Sequence, residues 1–569
     1  MILRSLNQYY ERLKDEPQSG IPLLGFGKKK IHFALVINNV GKLVQIRDIR
    51  EKPKNKPVPV SLILPQIGKK RGIDIAPNFM WDNTGYVLGC DNKSKKTRLL
   101  KCFEAFRRLH HHLGDRIQDE GMKAILSFLD SWKPEDAPAL KHWEEMAGAN
   151  IVFQLEDECN YIHEHSEVRQ AWTRYCIRQA STVIATCLVS GEERPIARLH
   201  PPIKGVQGAL TTGSAIVSFN QDAFLSYGKT QNFNAPVGDN VAFAYTTALN
   251  HLLLFESRQR VIIGDTTMVF WAERPSPIEE FIGPILDPRD KTSDLSRVYI
   301  FLDAAREEKP LPAIGDTDLR FHILGLAPNA SRLSVRFWHV TTVKDVSEKI
   351  GQHYRDIAIV RNDKEPEFLS MWQLLKETAA QGNPENIPPL LVGAIMRSIL
   401  TGTAYPQSLL STLLGRIRVD KSINYPRVAM IKACLNRKHR IHQLEEVIML
   451  LDKESTNIAY RLGRLFAAME KLYKDAIPGT NTTIRDRFYG LASTTPRIVF
   501  PQLLRLAQHH IHRAKYGVRT DKIIEEILCG IKTFPENLNL EDQGMFVIGY
   551  YHQRHAFYIK SENREEGEI

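Results

Sequence analysis

Hydrophobic positions along this chain mix two-residue alternation with helical periods up to about Val343, and beyond it they follow a helical period alone. In the first part the pattern predicts a short amphipathic helix at Leu6 to Leu13 and a hairpin from Ile31 to Ile49 turning at Asn38-Asn39-Val40-Gly41. Helices follow at Arg98 to Leu113 and Met122 to Trp132, with strands at Ile151 to Leu155, Ala215 to Phe219, Val261 to Ile263 and Thr267 to Trp271. A helix from Asp239 to Phe255 takes Asp239 as its N-cap and Ala242, Tyr245, Ala248, Leu249 and Leu252 as its apolar stripe. The run Phe321 to Trp338 reads as two strands around Pro328-Asn329-Ala330-Ser331, with Leu333, Val335 and Phe337 on one face and Arg332, Ser334 and Arg336 on the other. Arginines fixed on a strand offer planar donor forks to phosphate or to a base edge.

From Asp345 to Tyr558 successive helices are broken at Gly382-Asn383-Pro384, Tyr405-Pro406, Tyr425-Pro426, Pro478-Gly479 and Thr495-Pro496. The fold class that results is α+β: a mixed α/β N-terminal portion with antiparallel sheet elements, then an all-helical C-terminal bundle. The expected division is an α+β portion over 1–343, a helical connection over 344–448, a helical bundle over 449–560 and a disordered acidic tail over 561–569. Lys52-Pro53-Lys54-Asn55-Lys56-Pro57 is a basic connector whose prolines exclude a central strand.

At 569 residues the chain exceeds what one core supports, and its 43% apolar and 25% charged content is that of an ordinary globular protein. A net charge of +11 favours a polyanionic partner, because cations that neutralise phosphates gain from counterion release. The polar N-terminus and the lack of a spanning apolar stretch point to a cytoplasmic protein without a membrane partner. Seven scattered cysteines with no Cys-x-x-Cys pair indicate neither a disulfide framework nor a thiolate zinc site.

Catalytic chemistry finds little support in the spacing. His163-Glu164-His165 lacks the four-residue step that puts two imidazoles on one helical face, and His110-His111-His112 and His509-His510-His512 read as surface imidazoles or phosphate donors. Gly25-Phe26-Gly27-Lys28-Lys29-Lys30 lacks the order of a phosphate-binding loop and reads as a basic turn. No cofactor or metal is expected.

Several constellations suit nucleic acid. Lys69, Lys70 and Arg71 lie between two glycines, followed by Asn78-Phe79-Met80-Trp81-Asp82-Asn83, where amides able to read base edges lie beside aromatics. Ser226-Tyr227-Gly228-Lys229 and Asn234-Ala235-Pro236-Val237 lead into the Asp239 helix, whose unpaired first amides make an anion seat, and Arg258 and Arg260 add cations one strand step apart. Tyr227 and Asn234 either order the loop or wedge a base step. In the C-terminal half, Arg461, Arg464 and Lys471 form one outward ridge, and Arg505, His509, His512 and Arg513 a second; together they suit a single strand.

The blocks Asn78 to Asn83, Tyr86-Val87-Leu88-Gly89, Val217 to Asn220, Ser226 to Lys229, Asn234 to Val237, Ala244 to Asn250, Leu324 to Trp338, Arg485-Asp486-Arg487-Phe488-Tyr489-Gly490 and Gly549 to Arg554 closely resemble the large subunit of the type I-C CRISPR surveillance complex, Cascade, in order over nearly the whole chain. The resemblance implies a non-catalytic subunit that recognises the protospacer-adjacent motif in target double-stranded DNA, helps open the duplex and holds the displaced strand. It also implies partners: the crRNA-containing backbone, the subunit capping the crRNA 5′ end, and a recruited helicase-nuclease. On this reading Lys69, Lys70, Arg71, Asn78 and Asn83 read the motif, while Tyr227, Lys229, Asn234, Arg258, Arg260, Arg332 and Arg336 contact the backbone or wedge a step. Arg461, Arg464, Lys471, Arg505 and Arg513 are the candidates for the displaced strand. A small subunit made by internal translation from Met449 is implied too, with Met430 as the next candidate start. Two other classes remain open on spacing alone: a nuclease with a metal site built from dispersed carboxylates, and an adaptor that binds only RNA or other subunits.

Overall fold

The computed structural model of the chain describes residues 2–16, 19–51, 56–66, 74–92, 94–178, 181–263, 265–286, 300, 303–304, 316–479 and 482–558. Lys69, Lys70, Arg71 and the expected acidic tail lie outside these residues. The chain divides into two compact units, 1–203 with 212–251, and 204–211 with 252–569. The expected boundaries at 343 and 448 both fall inside the second.

The first unit is built on β2 (Phe33–Ile37) and β6 (Asn150–Leu155), which pair in parallel at the centre of a four-stranded sheet. All five residues of β2 are buried, as a strand covered on both faces requires, and its Phe-Ala-Leu-Val-Ile run supplies that without alternation. β3 (Leu43–Asp48) and β5 (Trp81–Asn83) flank the pair antiparallel. The β2–β3 turn runs through Gly41 at φ +82°, where a side-chain carbon would stand 2.6 Å from the Phe128 amide. Gly25 closes a turn at φ +85°, but the residues after it are strand: β1 (Phe26–Ile31) pairs antiparallel with β4 (Val60–Pro65), its apolar ends buried and Lys28 and Lys30 outward. Phe26 and Ile31, an odd number of positions apart, anchor opposite faces of the ladder in two separate clusters.

Helices α1 (Ile2–Asp15), α2 (Thr84–Val87), α3 (Lys96–Gly114), α4 (Glu120–Ser131), α5 (Trp143–Met146), α6 (Ser166–Arg178) and α7 (Asp239–Leu252) belong to this unit, as does the antiparallel pair β7 (Ile184–Thr186) and β8 (Glu193–Pro195). α3 buries Leu99, Cys102, Phe103, Phe106 and His110, the spacing of one helical stripe. α4 starts where the Asp119 carboxylate accepts the Met122 N–H at 2.8 Å. The predicted stripe of α7 is buried throughout, but Asp239 is its first helical residue, and its carboxylate accepts from the Ser181 N–H at 3.1 Å. The strand expected at Ala215 to Phe219 does not form. Only an isolated bridge joins Ser214 to Ile203 there, and an alternating run without a neighbouring strand has no ladder to join.

In the second unit, β9 (Arg260–Ile263), β10 (Thr266–Ala272), β11 (Arg320–Asn329) and β12 (Arg332–Thr342) form an antiparallel sheet in the order β12-β11-β10-β9. The β11–β12 hairpin is the predicted one, with Ala330 at φ +51° in its turn. Its predicted faces need correction: Gly325 pairs with Phe337 and Leu326 with Val335, so Arg336 is the extra residue of a β-bulge. The bulge reverses the alternation beyond it. Leu333 and Val335 share one face, Phe337 turns to the other, and Val335 is exposed.

Helices α8 (Ile278–Leu286), α9 (Val343–Ile357), α10 (Met371–Lys376), α11 (Pro389–Thr401), α12 (Gln407–Asp420) and α13 (Tyr425–Ile441) follow in this unit, then α14 (Ile458–Ala476), α15 (Ile484–Ala492), α16 (Pro496–Ile511), α17 (Gly517–Cys529) and α18 (Leu540–Tyr558). One continuous core joins them to the sheet, from Val261 and Phe270 through Val428 to Phe546. The fold is therefore α+β, with an all-helical region after β12.

Candidate nucleic-acid interface

The Asn78–Asn83 block enters β5 through a backbone held by named side chains. Asp82, buried, accepts from the N–H of Asn78 at 2.9 Å and of Asn83 at 2.8 Å. The Trp81 indole donates to the Pro65 carbonyl at 2.7 Å. Met80 sits at φ +68°, and its N–H donates at 2.9 Å to His110 Nε2, whose Nδ1–H donates in turn to the Phe106 carbonyl at 2.8 Å. That pair of bonds needs the neutral imidazole, and burial lowers the His110 pKa to about 4. His110 is thus a core residue and not a surface imidazole. Phe79 stacks on His110 and on Trp172 with ring centroids 5.1 and 5.3 Å apart.

Clamping the backbone leaves the amides of Asn78 and Asn83 half-buried. Asn83 precedes α2 without capping it through its side chain. The amide instead lines a cleft of about 220 Å³ together with Asp74, Tyr86, Asp91, Ser94 and Arg98. Gly85 makes the close approach possible: a side-chain carbon there would stand 3.1 Å from Asn83 Oδ1 and 3.2 Å from Asp91 Oδ2. Two carboxylates disfavour a phosphate, whereas carboxylate, amide and guanidinium side by side match the donor and acceptor pattern of a base edge. Sequence reading missed Asp74, Asp91 and Arg98. The available signal was the turn-forming Asp91-Asn92-Lys93-Ser94 run directly before a helix.

The second predicted constellation forms a projecting turn. The Lys229 N–H donates to the Ser226 carbonyl at 3.0 Å, and both central residues have positive φ, Tyr227 at +50° and Gly228 at +66°, the signature of a type I′ turn. Asn234 orders it. Its Oδ1 accepts from the Ser226 N–H at 2.9 Å, and its Nδ2 donates to the carbonyls of Lys229 at 3.0 Å and Gln231 at 2.9 Å. With the amide so engaged, Asn234 is a brace, while the Tyr227 ring is 96% exposed at the tip. A bulky residue in the left-handed region costs about 1 kcal/mol, and strain of this kind concentrates at functional sites. Lys229 beside it is exposed and makes no ion pair among the described residues.

Cations of the second unit fare unevenly. Arg336, half-buried by the bulge, is bound to Asp265 at 2.7 Å. Arg332 is half-buried. The hairpin is thus not the open row of guanidiniums its alternation suggested. Arg260 donates to the Gly205 carbonyl at 2.9 Å and is partly desolvated, which lowers its pKa. Arg258 is exposed, with Glu280 at 3.6 Å.

On α14 the predicted ridge is taken up by the bundle. Arg464 is 1% exposed and bonds to Gln553 at 3.1 Å, Glu526 at 2.9 Å and the Lys453 carbonyl at 3.2 Å. Arg461 donates to the Ser455 carbonyl. Lys471 is held between the two oxygens of Asp475 at 2.5 and 2.7 Å. The helical period was right, but α17 and α18 cover the face on which Arg464 lies. By contrast, Arg505 on α16 and Arg513 in the turn just after it are exposed and unpaired among the described residues, with His509 and His512 exposed beside them.

A family model described as CRISPR-associated protein (Cas_Csd1) matches residues 6–558 of the chain. No curated protein matches it. Among the described residues no helix is long and apolar enough to cross a membrane.

Proposed function

The chain belongs to the Cas_Csd1 family of CRISPR-associated proteins, and from that premise we propose that it is the non-catalytic large subunit of a type I-C CRISPR surveillance complex acting in the cytoplasm. In this role it recognises the protospacer-adjacent motif in double-stranded target DNA, helps open the duplex and stabilises the displaced strand. Guide pairing supplies sequence discrimination and the protein reads only the short motif. Its partners are the crRNA-bearing backbone, the subunit capping the crRNA 5′ end, a small subunit translated from within the same message, and a helicase-nuclease recruited to the assembled complex.

The observation that carries the DNA-contacting part is the Ser226–Lys229 turn, where Asn234 props a bare tyrosine beside an exposed lysine. An aromatic side chain on a stiff support suits insertion at a base step, since a ring already held in place loses little freedom when it enters. The Asn83 cleft supplies groups matched to a base edge, and the exposed cations Arg505 and Arg513 on and just after α16 suit the phosphates of a single strand.

Assembled complex carrying Tyr227→Ala is expected to bind target duplex about tenfold more weakly than wild type in a gel shift, while binding a target already unpaired across the motif nearly as well. Equal losses on the two substrates would remove the wedge role.

A further inference from the structure

A second polar cavity lies in the helical region, among residues the reading above leaves unused. It has a volume of about 40 Å³ and is lined by Arg418, Lys421, Arg485, Asp486 and Tyr489, with Gly490 and the apolar side chains of Ile417 and Ile423 completing the wall. Tyr489 is only 6% exposed, and its hydroxyl has no hydrogen-bond partner among the described residues. Neither has the buried Nε of Arg485. Leaving such groups unmade costs roughly 1–3 kcal/mol each, so two of them at one cavity call for an account.

The surroundings say what the cavity suits. Three cationic side chains line it with one carboxylate, and that carboxylate is engaged: Asp486 accepts from the Thr483 N–H at 2.7 Å and from its hydroxyl at 3.2 Å, closing the N-terminus of α15, while Arg485 also meets the Tyr550 hydroxyl and the charge of Glu470. Arg418 is steadied by Gln543 at its far end. Lys421 ends α12 in a left-handed conformation at φ +52°. The charges of both Arg418 and Arg485 act on the Tyr489 phenol, opposing the rise that burial imposes on its pKa. Gly490 has nothing within 4 Å of where a side-chain carbon would stand, so the wall is open on that side.

We propose that this cavity is a seat for one phosphodiester of a nucleic-acid strand, taking its two non-bridging oxygens between Arg418, Lys421, Arg485 and the Tyr489 hydroxyl. The volume favours a diester over a whole free phosphate. A water needs about 10–15 Å³ by this kind of measure, so some 40 Å³ admits two or three oxygen-sized groups and leaves the ester oxygens outside, where a polymer continues in both directions. Guanidiniums and an ammonium supply donors only, and the phenol adds one O–H donor, as an anionic oxygen pair requires. The inference rests on the DNA-binding reading and deepens it by assigning a phosphate contact to residues that reading does not use.

The test uses the full chain and a labelled single-stranded oligonucleotide, titrated over a range of salt concentrations, with wild type, Tyr489→Phe and Lys421→Ala. Tyr489→Phe removes one oxygen and keeps the ring, so affinity is expected to fall about fivefold with no loss of thermal stability. Lys421→Ala is expected to reduce the slope of log K against log salt by about 0.7. If wild type binds and both variants match it, the seat is wrong while the DNA-binding reading stands. If wild type shows no salt-dependent binding, both fall. Inorganic phosphate is the second arm. Should it stabilise wild type but not Tyr489→Phe while oligonucleotide binding is unaffected by the substitution, the cavity takes free phosphate and the diester proposal is overturned.

Discussion

His110 shows how one side chain fixes a segment that its own neighbourhood in the sequence does not explain. Three consecutive histidines among arginines read as a surface feature, yet the first sits on the buried stripe of α3 and accepts the N–H of Met80. The unfolded imidazole has a pKa near 6.5, and the buried one is lowered to about 4. As pH falls through 6.5 the unfolded state therefore takes a proton that the folded state refuses. Stability is complete above pH 6.5, declines by roughly 3 kcal/mol down to about pH 4, and levels off once the folded state is protonated as well. Thermal unfolding of His110→Gln between pH 7 and 4 is expected to show a shallower decline than wild type. Parallel curves would mean that this imidazole is not held neutral. Tyr227 is the opposite case: the loop composition identified it in the sequence, but not its positive φ, because that conformation is set by Asn234 gripping both sides of the turn.

Among elements, the β11–β12 hairpin was legible from alternation and turn residues, and its faces were not. A period of two predicts orientation only while the ladder is unbroken, and the bulge at Arg336 inserts one residue that no composition rule announces. The helices of the second unit were legible from their period and their proline and glycine breaks. The close approach of α14 and α18 was hidden in two glycines. A side-chain carbon at Gly463 on α14 would stand 2.0 Å from the Phe546 carbonyl oxygen of α18, and one at Gly549 would stand 2.1 Å from the Tyr460 carbonyl oxygen of α14. Both clashes are with backbone, which cannot rotate away. Gly463→Ala is expected to lower stability by about 3 kcal/mol, at the upper end for overpacking. Gly544→Ala meets only side-chain methyls at 3.2 Å or more and should change stability far less in the same denaturant titration. Equal effects would mean that the two helices separate without strain.

For the whole molecule, the continuous core of the second unit bears on the proposed internal translation of a small subunit. Met449 lies in the connection after α13, and its carbonyl accepts the Val360 N–H at 3.1 Å. A product starting there keeps α14 against α18, but it uncovers the side of α18 at Gly544 on which Ile431 and Leu435 pack in the full chain. It is expected to copurify with the assembled complex and to be absent from the free pool. Mass spectrometry after recoding Met449 checks the start site: persistence of the fragment would move it to Met430. By itself the sequence determined the α+β class, the order of most elements, the hairpin, the helical region and the family, because periodicity, turn chemistry and ordered motif blocks are local properties of the chain. Only the tertiary structure decided which cations stay available. Arg464 and Lys471 share the composition of a binding ridge with Arg505 and Arg513, and the difference between spent and free lies in which helix covers them and which carboxylate reaches them. Charge is written along the chain, whereas its neutralisation is a matter of distance in space.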